Sequence, residues 1–565
     1  MEKTSQASGL QSLFPDKSSL SHPDFSHLGE EEKLIAKTID MFVKDQVLPN
    51  NKNLEAHDYQ TSKELFAAAG ELGLLGVEVP EAFDGLEMSK KTSGLVAEKM
   101  GYGASFSVAF NIHSGVGTLP YVYFGTEVQK KRYLPKLASG EWVGAYALTE
   151  PNAGSDALAA STTAKIDETT GNWIINGEKQ WITNAHIANV YVVFAKTEAG
   201  ITAFIVEREF PGVSIGAEEK KLGIKGSSTA TLILDDVKVG PQQVLGAVGK
   251  GHHIALNILN LARLKLAFAN IGASKQALET AVKYAKERKQ FNKALTAFPM
   301  IQEKLADMAI SIYGAACSAY YTASVLDQLD GSSTEEQLIG SLARYAMDCS
   351  INKVYASETL HDCVDETLQI HGGYGYMQDY DVERQYRDAR INRLFEGTNE
   401  INRLTIAKSF LKRYHQTEQA VVNPADIHGG RKDQFIQFST YLLQVMMKAL
   451  PVEKKENMDE KQMYLRVLSD VVKEIYIMKA AYLDAEQGGG DTAFKQLKAD
   501  VICENGYRRV ESATITMVSA ASADEAAKQE VLEEIRILAV PPYSDVFDKK
   551  RLIAEHIIMQ EGYEK

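Results

Sequence analysis

Apolar residues recur every three to four positions through Glu30–Val47 and again through Ser62–Leu75, with polar residues between them. That spacing gathers an apolar stripe on each helix and predicts an N-terminal helical domain over 29–145. Thr61 or Ser62 is placed to cap the second helix, and Gly70, Gly73, Gly76 and Pro80 punctuate the turns behind it. Near Trp142 the period changes. Thr162–Asp167 and Trp173–Gly177 read as strands around a turn at Thr169–Asn172, and Val190–Ala195, Thr202–Val206 and Thr229–Leu234 are short β-branched and aromatic runs. Strands so short and close predict a β barrel or sandwich over 146–250.

Helical spacing returns at Gly251. Ile254–Arg288, Pro299–Leu329 and Thr334–Gln369 are long, alanine-rich and amphipathic, and a further helix runs from about Asn399 to Arg413. Long helices with short connections predict a bundle over 251–413. A polar stretch with Pro424 and Gly429-Gly430 leads to an additional helical domain at 432–565, built on Phe435–Leu450, Gln462–Glu486, Phe494–Ala521 and Glu525–Leu538, with Gly488-Gly489-Gly490 breaking the middle pair. Residues 1–28 form a polar leader. The order defines an α+β fold class.

Composition narrows the function. The 565 residues, 45% of them hydrophobic, supply several cores. A net charge of −14 argues against nucleic-acid binding, or adhesion to anionic membranes, over the whole surface. Cys317, Cys349, Cys363 and Cys503 are far apart and form no CxxC pair, which fits reduced thiols in a cytoplasmic enzyme. The leader has no long apolar run and the first arginine is Arg132, which disfavours a secretory signal or an Arg-rich transit peptide. Five glycines, Pro120 and His113 disqualify Gly101–Thr126 as a membrane span.

No GxGxxG follows a strand, and GxxxxGK[ST] and HExxH are missing. His252-His253 has no third ligand at recognisable spacing, so no metal site is expected. A cofactor would have to be held another way; four segments could contribute, and a fifth could supply a base. Tyr146–Asp156 exposes backbone N–H groups between the hydroxyls of Thr149 and Ser155, a grip for a phosphate or a ring edge, or else a plain Pro/Gly connector. Lys179–Ala185 offers Trp181 as a flat wall and Thr183 as a donor, unless Trp181 is a core residue. Gly372-Gly373 ends a long helix and allows close backbone approach, as any C-cap glycine would. Arg288 closes another helix, within reach of a pyrophosphate or simply complementing the helix dipole. Glu396 follows Leu394-Phe395 and precedes Gly397 in front of a helix. It is a base in a dry place that a substrate can approach, or a surface glutamate near a helix N-terminus.

Six motifs occur together and in order: TEPNAGSD at 149–156, EKQWITN at 178–184, KLGIKGSS at 221–228, ERKQF at 287–291, QIHGGYGY at 369–376 and FEGTNEINR at 395–403. With them the chain resembles the acyl-CoA dehydrogenase family over roughly residues 29–413, and the module at 432–565 is similar to the very-long-chain branch. That branch includes a relative with a second role in respiratory complex assembly. The resemblance implies a helical domain, a β domain and a C-terminal four-helix bundle, with FAD between the last two and a partner subunit contributing.

It also implies roles for residues. Leu148, Thr149 and Ser155 would meet the flavin from one side, Ser155 also the substrate, and Trp181, Ile182 and Thr183 would flank it on the other. Arg288, Phe291 and Phe298 would hold FAD across the dimer, with Gln369, Ile370, His371, Gly372 and Gly373. Thr398, Asn399 and Glu400 would reach FAD at the helix N-terminus, while Asn260, Arg263 and Gly397 would approach the substrate. Glu396 would take the α proton of a fatty acyl-CoA as hydride leaves to flavin N5, giving the trans-2-enoyl-CoA. Its N–H and a ribityl hydroxyl would stabilise the enolate. Some branches place the base where Ala262 stands here, which cannot act. The uncharged stretch Ser105–Ile112 would wall the far end of the acyl pocket, suiting a long chain. The implied partners are electron-transfer flavoprotein and a second copy of the chain, with peripheral contact at the inner face of the membrane left open. An oxidase on the same fold, or an assembly scaffold using the C-terminal module, are the competing readings.

Overall fold

The computed structural model describes residues 28–330, 342–416, 421–451, 460–487, 491–521 and 524–563. Residues 1–27 of the polar leader, the start of the Thr334–Gln369 segment and the Gly488–Gly490 break lie outside the described residues.

Three glutamates open α1 (Glu30–Phe42), where the helix dipole favours negative charge, and the Glu32 carboxylate accepts the Gly29 N–H at 2.8 Å. After α2 (Asn51–Glu55) comes α3 (Tyr59–Glu71), which begins earlier than its apolar spacing suggests. Its cap is Asp58, whose Oδ1 accepts Gln60 N–H at 3.1 Å and Thr61 N–H at 3.3 Å. Thr61 and Ser62, the expected caps, are buried inside the helix because the carboxylate ahead of them already satisfies its first N–H groups. The helical unit is completed by α4 (Lys90–Met100), α5 (Ala104–Ile112), α6 (Leu119–Phe124) and α7 (Glu127–Ala138).

Eight strands follow: β1 (Gly144–Ala147), β2 (Thr163–Ile166), β3 (Trp173–Thr183), β4 (Val190–Thr197), β5 (Gly200–Glu207), β6 (Val213–Glu218), β7 (Thr229–Val239) and β8 (Val244–Leu245). They form one sheet in the order β6-β7-β3-β2-β4-β5-β8, with β1 paired in parallel to β4. The expected hairpin joins β2 and β3. β3 then runs on through Trp181, with a register shift against β7 between Lys179 and Ile182. That irregularity sets Trp181 at a φ of 58° and turns its ring outward.

The bundle consists of α8 (Gly251–Glu287), α9 (Pro299–Asp330), α10 (Ala346–His371) and α12 (Asn399–Gln416), with α11 (Val382–Ala389) crossing before α12. α8 is apolar and long enough to cross a bilayer, yet most of that length is buried against α10, α4 and α9. The extension contributes α13 (Arg431–Ala449), α14 (Gln462–Gln487), α15 (Thr492–Ala521), α16 (Glu525–Arg536) and α17 (Val546–Gln560). α14 packs on α9 and α12, and α17 packs on α9. One apolar core therefore continues from the sheet through the bundle into the extension, including Val192, Leu278, Val354, Ile475, Tyr507 and Ile553. All four cysteines are buried and free.

Candidate active site

Glu396 sits three residues ahead of α12 in a left-handed conformation, φ 56°, followed by Gly397 at 81°. A side chain there costs about 1–2 kcal/mol, so the surroundings must impose it. Three donors from three helices do so. Arg263 Nε on α8 bonds the Glu396 carbonyl at 3.1 Å. Asn402 Nδ2 on α12 bonds the Gly397 carbonyl at 2.8 Å and the Thr398 carbonyl at 3.0 Å. Lys353 Nζ on α10 bonds the Gly397 carbonyl at 2.8 Å and Asn399 Oδ1 at 2.7 Å.

The clamp leaves the carboxylate facing a cavity. Glu396 Oε2 is buried and has no hydrogen-bond partner. Burial pushes the Glu396 carboxyl up to about 7, against the pull of Arg263 and Lys353. Burial also pushes the Lys353 ammonium down to about 7, with Glu396 opposing. Tyr146 Oη, a second buried polar atom without a partner, lies within the electrostatic reach of Glu396.

Along one wall of this cavity runs a stripe of α8: Ala262, Leu266, Ala269, Ala273 and finally Gln276. Val108 and Ile112 of α5 face it. Of the Ser105–Ile112 wall expected from the sequence, Phe106, Ala109 and Phe110 belong instead to the N-terminal core. Fourteen residues of helix separate Ala262 from Gln276, or about 21 Å at 1.5 Å per residue.

Two of the expected flavin segments are tied together. Glu150 is buried and accepts Lys179 Nζ at 2.6 Å, Ser161 N–H at 2.6 Å and Thr162 N–H at 3.0 Å. Burial alone would raise this carboxyl, but those donors hold it down to about 2. Lys179 Nζ also donates to the Leu148 carbonyl at 3.2 Å, and Gln180 N–H donates to the Thr149 carbonyl at 2.9 Å. Thr149 is thus fixed beside the start of the Trp181 turn. Trp181 is 58% exposed, which overturns the reading of it as a core tryptophan. Ile182 is buried, Thr183 half-buried opposite Thr229, and Ser155 stands on an exposed turn.

At the start of α12, Thr398 Oγ1 accepts the Ile401 N–H at 3.3 Å and Glu400 is exposed. Asn399 is buried and turned inward to Lys353 and Ser357. Asn260 and Arg263 are also turned inward: Arg263 Nη1 bonds Asn260 Oδ1 at 3.0 Å, and neither side chain lines the cavity. Their visible task is to hold the Glu396 loop.

The remaining expected flavin residues gather at the other end of α8. Arg288 caps that helix, and Gly372 caps α10 with a φ of 59°. Tyr284 stacks on His371 at 3.9 Å. Arg288, Ile370, His371, Gly372 and Gly373 line an open cleft of about 440 Å³, with Gln369 exposed beside it. A Cβ added at Gly372 or Gly373 would meet nothing within 4 Å. Phe291 is 87% exposed and lies 6.2 Å from Phe298. This cleft shares no residue with the Glu396 cavity.

Lys353 and Asn402 escaped the sequence reading. Asn402 lies inside the FEGTNEINR motif, which gives no sign of its contact with the Gly397 carbonyl. The one signal for Lys353 was a cation on a helix face otherwise buried, flanked by Ile351 and Val354.

A helical unit, a sheet and a four-helix bundle around a carboxylate of raised pKa in a cavity, with an open cleft at the far end of α8, define the class: a flavin-dependent oxidoreductase acting on a CH–CH bond. The chain belongs to the acyl-CoA dehydrogenase family. The models of that family's N-terminal, middle and C-terminal domains match residues 29–141, 145–237 and 249–411. A probable acyl-CoA dehydrogenase of Bacillus subtilis (strain 168) is 42% identical over 562 residues, covering 94% of each chain. The mitochondrial very long-chain specific acyl-CoA dehydrogenase of Bos taurus is 40% identical over 348 residues, 60% of this chain and 51% of that one. A crystal structure of acyl-CoA dehydrogenase complexed with FAD from Bacillus anthracis superposes with a TM-score of 0.93 at 38% identity, covering 99% of this chain and 100% of that one. The extension, outside the three domain models, is spanned by that structural match. FAD is the cofactor. The outward Trp181 ring and the open space over Gly372-Gly373, with Arg288 at its rim, fit a flat ring system and a nucleotide diphosphate.

Proposed function

We propose that the protein oxidises long-chain fatty acyl-CoA to the trans-2-enoyl-CoA, with Glu396 as the base. The observation that carries this reading is the unpartnered Glu396 carboxylate facing a cavity lined by α8 from Ala262 to Gln276, a helical span of about 21 Å. An extended chain of single bonds advances roughly 1.2 Å per bond, so that length accepts about sixteen to eighteen carbons.

Glu396 takes the Cα proton. The electron pair left behind forms the Cα=Cβ bond as hydride leaves Cβ. Bound FAD supplies the two-electron acceptor for that hydride. The α proton of a thioester is a weak acid, and two effects narrow the gap: the raised proton affinity of Glu396, and a hydrogen bond from the Glu396 N–H to the thioester oxygen. Such a donor is commonly worth about 3–4 kcal/mol in the transition state. Leu148, Thr149, Trp181, Ile182, Thr183 and Thr398 line the ring side of the flavin in this reading. Gly397 lets the thioester come close.

The Arg288 cleft serves FAD of a second copy. Arg288 lies 26 residues beyond Ala262 on α8, about 39 Å away and farther than one FAD extends. The exposed Phe291, Tyr376 and Met377 around this cleft support a covered surface there, and hence a homodimer. The electrons pass to electron-transfer flavoprotein, in the cytoplasm. The extension's buried apolar residues join the shared core, which favours packing over membrane binding, while Ile537, Phe547 and Met559 stay exposed.

The test is anaerobic addition of octanoyl-, palmitoyl- and docosanoyl-CoA to the purified protein. Bleaching of the flavin that is fastest with palmitoyl-CoA is expected. Fastest bleaching by short-chain substrates would overturn the chain-length reading, and peroxide formation in air without another acceptor would select an oxidase.

A further inference from the structure

The far end of the Glu396 cavity is linked to the extension through contacts that no role above has absorbed. Gly101 and Gln276 line its distal end. Gln276 Nε2 donates to the Tyr102 carbonyl at 3.2 Å, and Tyr102 Oη donates to Glu279 Oε1 at 2.9 Å. These bonds close the wall between α4 and α8.

Directly behind Glu279 is the turn that follows α17. Glu561 ends that helix in a left-handed conformation, φ 59°. Gly562 comes next, and a Cβ there would stand 2.5 Å from Glu279 Cγ. Only glycine allows so close an approach without displacing Glu279. Both sides of the contact are pinned. Lys286 Nζ pairs with Glu561 Oε1 at 2.5 Å. The Tyr563 ring is buried, with Lys275 Nζ 4.8 Å from its centroid and Lys498 Nζ of α15 at 5.1 Å. Lys275 is itself tied to the buried Glu98 at 2.6 Å, and Tyr320 Oη bonds the other Glu98 oxygen at 3.0 Å.

We infer that the turn Glu561–Tyr563 of the extension sets the length of acyl chain the enzyme accepts, by holding Glu279 and through it the Tyr102–Gln276 end wall. The inference rests on the long-chain acyl-CoA reading above and gives the extension a part in specificity. Glu279 and Tyr563 touch neither the reacting atoms nor the base; they position the wall.

Two holoenzyme variants test it, Glu279→Ala and Tyr563→Ala, each assayed for kcat/KM with octanoyl-, palmitoyl- and docosanoyl-CoA. Octanoyl-CoA, too short to reach the wall, should be turned over within about twofold of the parent rate, while the docosanoyl-to-palmitoyl ratio rises about tenfold or more. A general structural defect would instead lower all three together. If Tyr563→Ala fails to fold, Glu279→Ala decides alone. An unchanged ratio in an enzyme that still bleaches with acyl-CoA overturns this inference and leaves the activity standing. A parent enzyme that bleaches with no acyl-CoA overturns both.

Discussion

Glu396 combines a strained backbone with an unpartnered carboxylate, and both have consequences that can be measured. Its proton affinity rises from the ordinary 4.5 to about 7, so the folded state binds this proton more tightly than the unfolded chain. The stability from that proton is full below about pH 4.5 and is lost as pH rises through about 7. Activity runs the other way, because only the ionised carboxylate accepts a proton. A pH profile of kcat/KM should therefore climb to a plateau through about pH 7; a flat profile down to pH 5 would contradict the dry environment of Glu396. Lys353→Met removes a cation beside the base and two hydrogen bonds from its loop. The acid limb should move upward by about one unit, and kcat should fall by roughly tenfold or more. Glu396 was legible in the sequence because its neighbours form a recognisable motif. The clamp was not, since Arg263 reaches Glu396 across 133 positions and no local period reports such a bond.

α8 lines one wall of the proposed acyl cavity. Its inner stripe uses alanine at 262, 269 and 273, and the volume those side chains do not fill is part of the cavity. Ala269 lies about 10 Å along the helix from Ala262. Ala269→Phe should therefore block the cavity midway: palmitoyl-CoA should lose roughly 100-fold in kcat/KM while octanoyl-CoA is largely spared. An equal loss for both substrates would indicate a distorted helix rather than a shortened cavity. The 3.6-residue period made α8 readable as a long amphipathic helix. Neither that period nor composition could say that its alanines face a void rather than another helix. β3 failed in the same way. Its first half alternates and reads as a strand, whereas the irregularity that turns Trp181 outward depends on register with β7, more than forty residues away.

Taken whole, the molecule is less modular than its sequence suggests. The extension reads as a separate helical unit behind a Pro/Gly linker, yet it shares one apolar core with the bundle. Tyr313 Oη of α9 bonds Asp484 of α14 at 2.7 Å in that shared interior, and Tyr313→Phe should cost about 1–3 kcal/mol in chemical denaturation by removing one donor from a buried carboxylate that Lys495 also pairs with. Patterning tells which face of a helix is apolar but not which partner covers it, so this continuity could not be read in advance. The two-ended distribution of the proposed flavin residues along α8 makes a further demand on the assembly. If a homodimer shares its flavin sites, co-expressing Arg288→Ala with Glu396→Gln should regenerate one working site per mixed dimer, about a quarter of the parent activity on random pairing. No recovery would mean that each chain builds its site alone.

The most direct test of the central claim is single-turnover reduction of Glu396→Gln by palmitoyl-CoA, followed anaerobically at the flavin absorbance. A yellow, FAD-loaded variant that binds palmitoyl-CoA and does not bleach is expected. Bleaching at the parent rate would show that another group removes the α proton, and would contradict the assignment of Glu396 as the base.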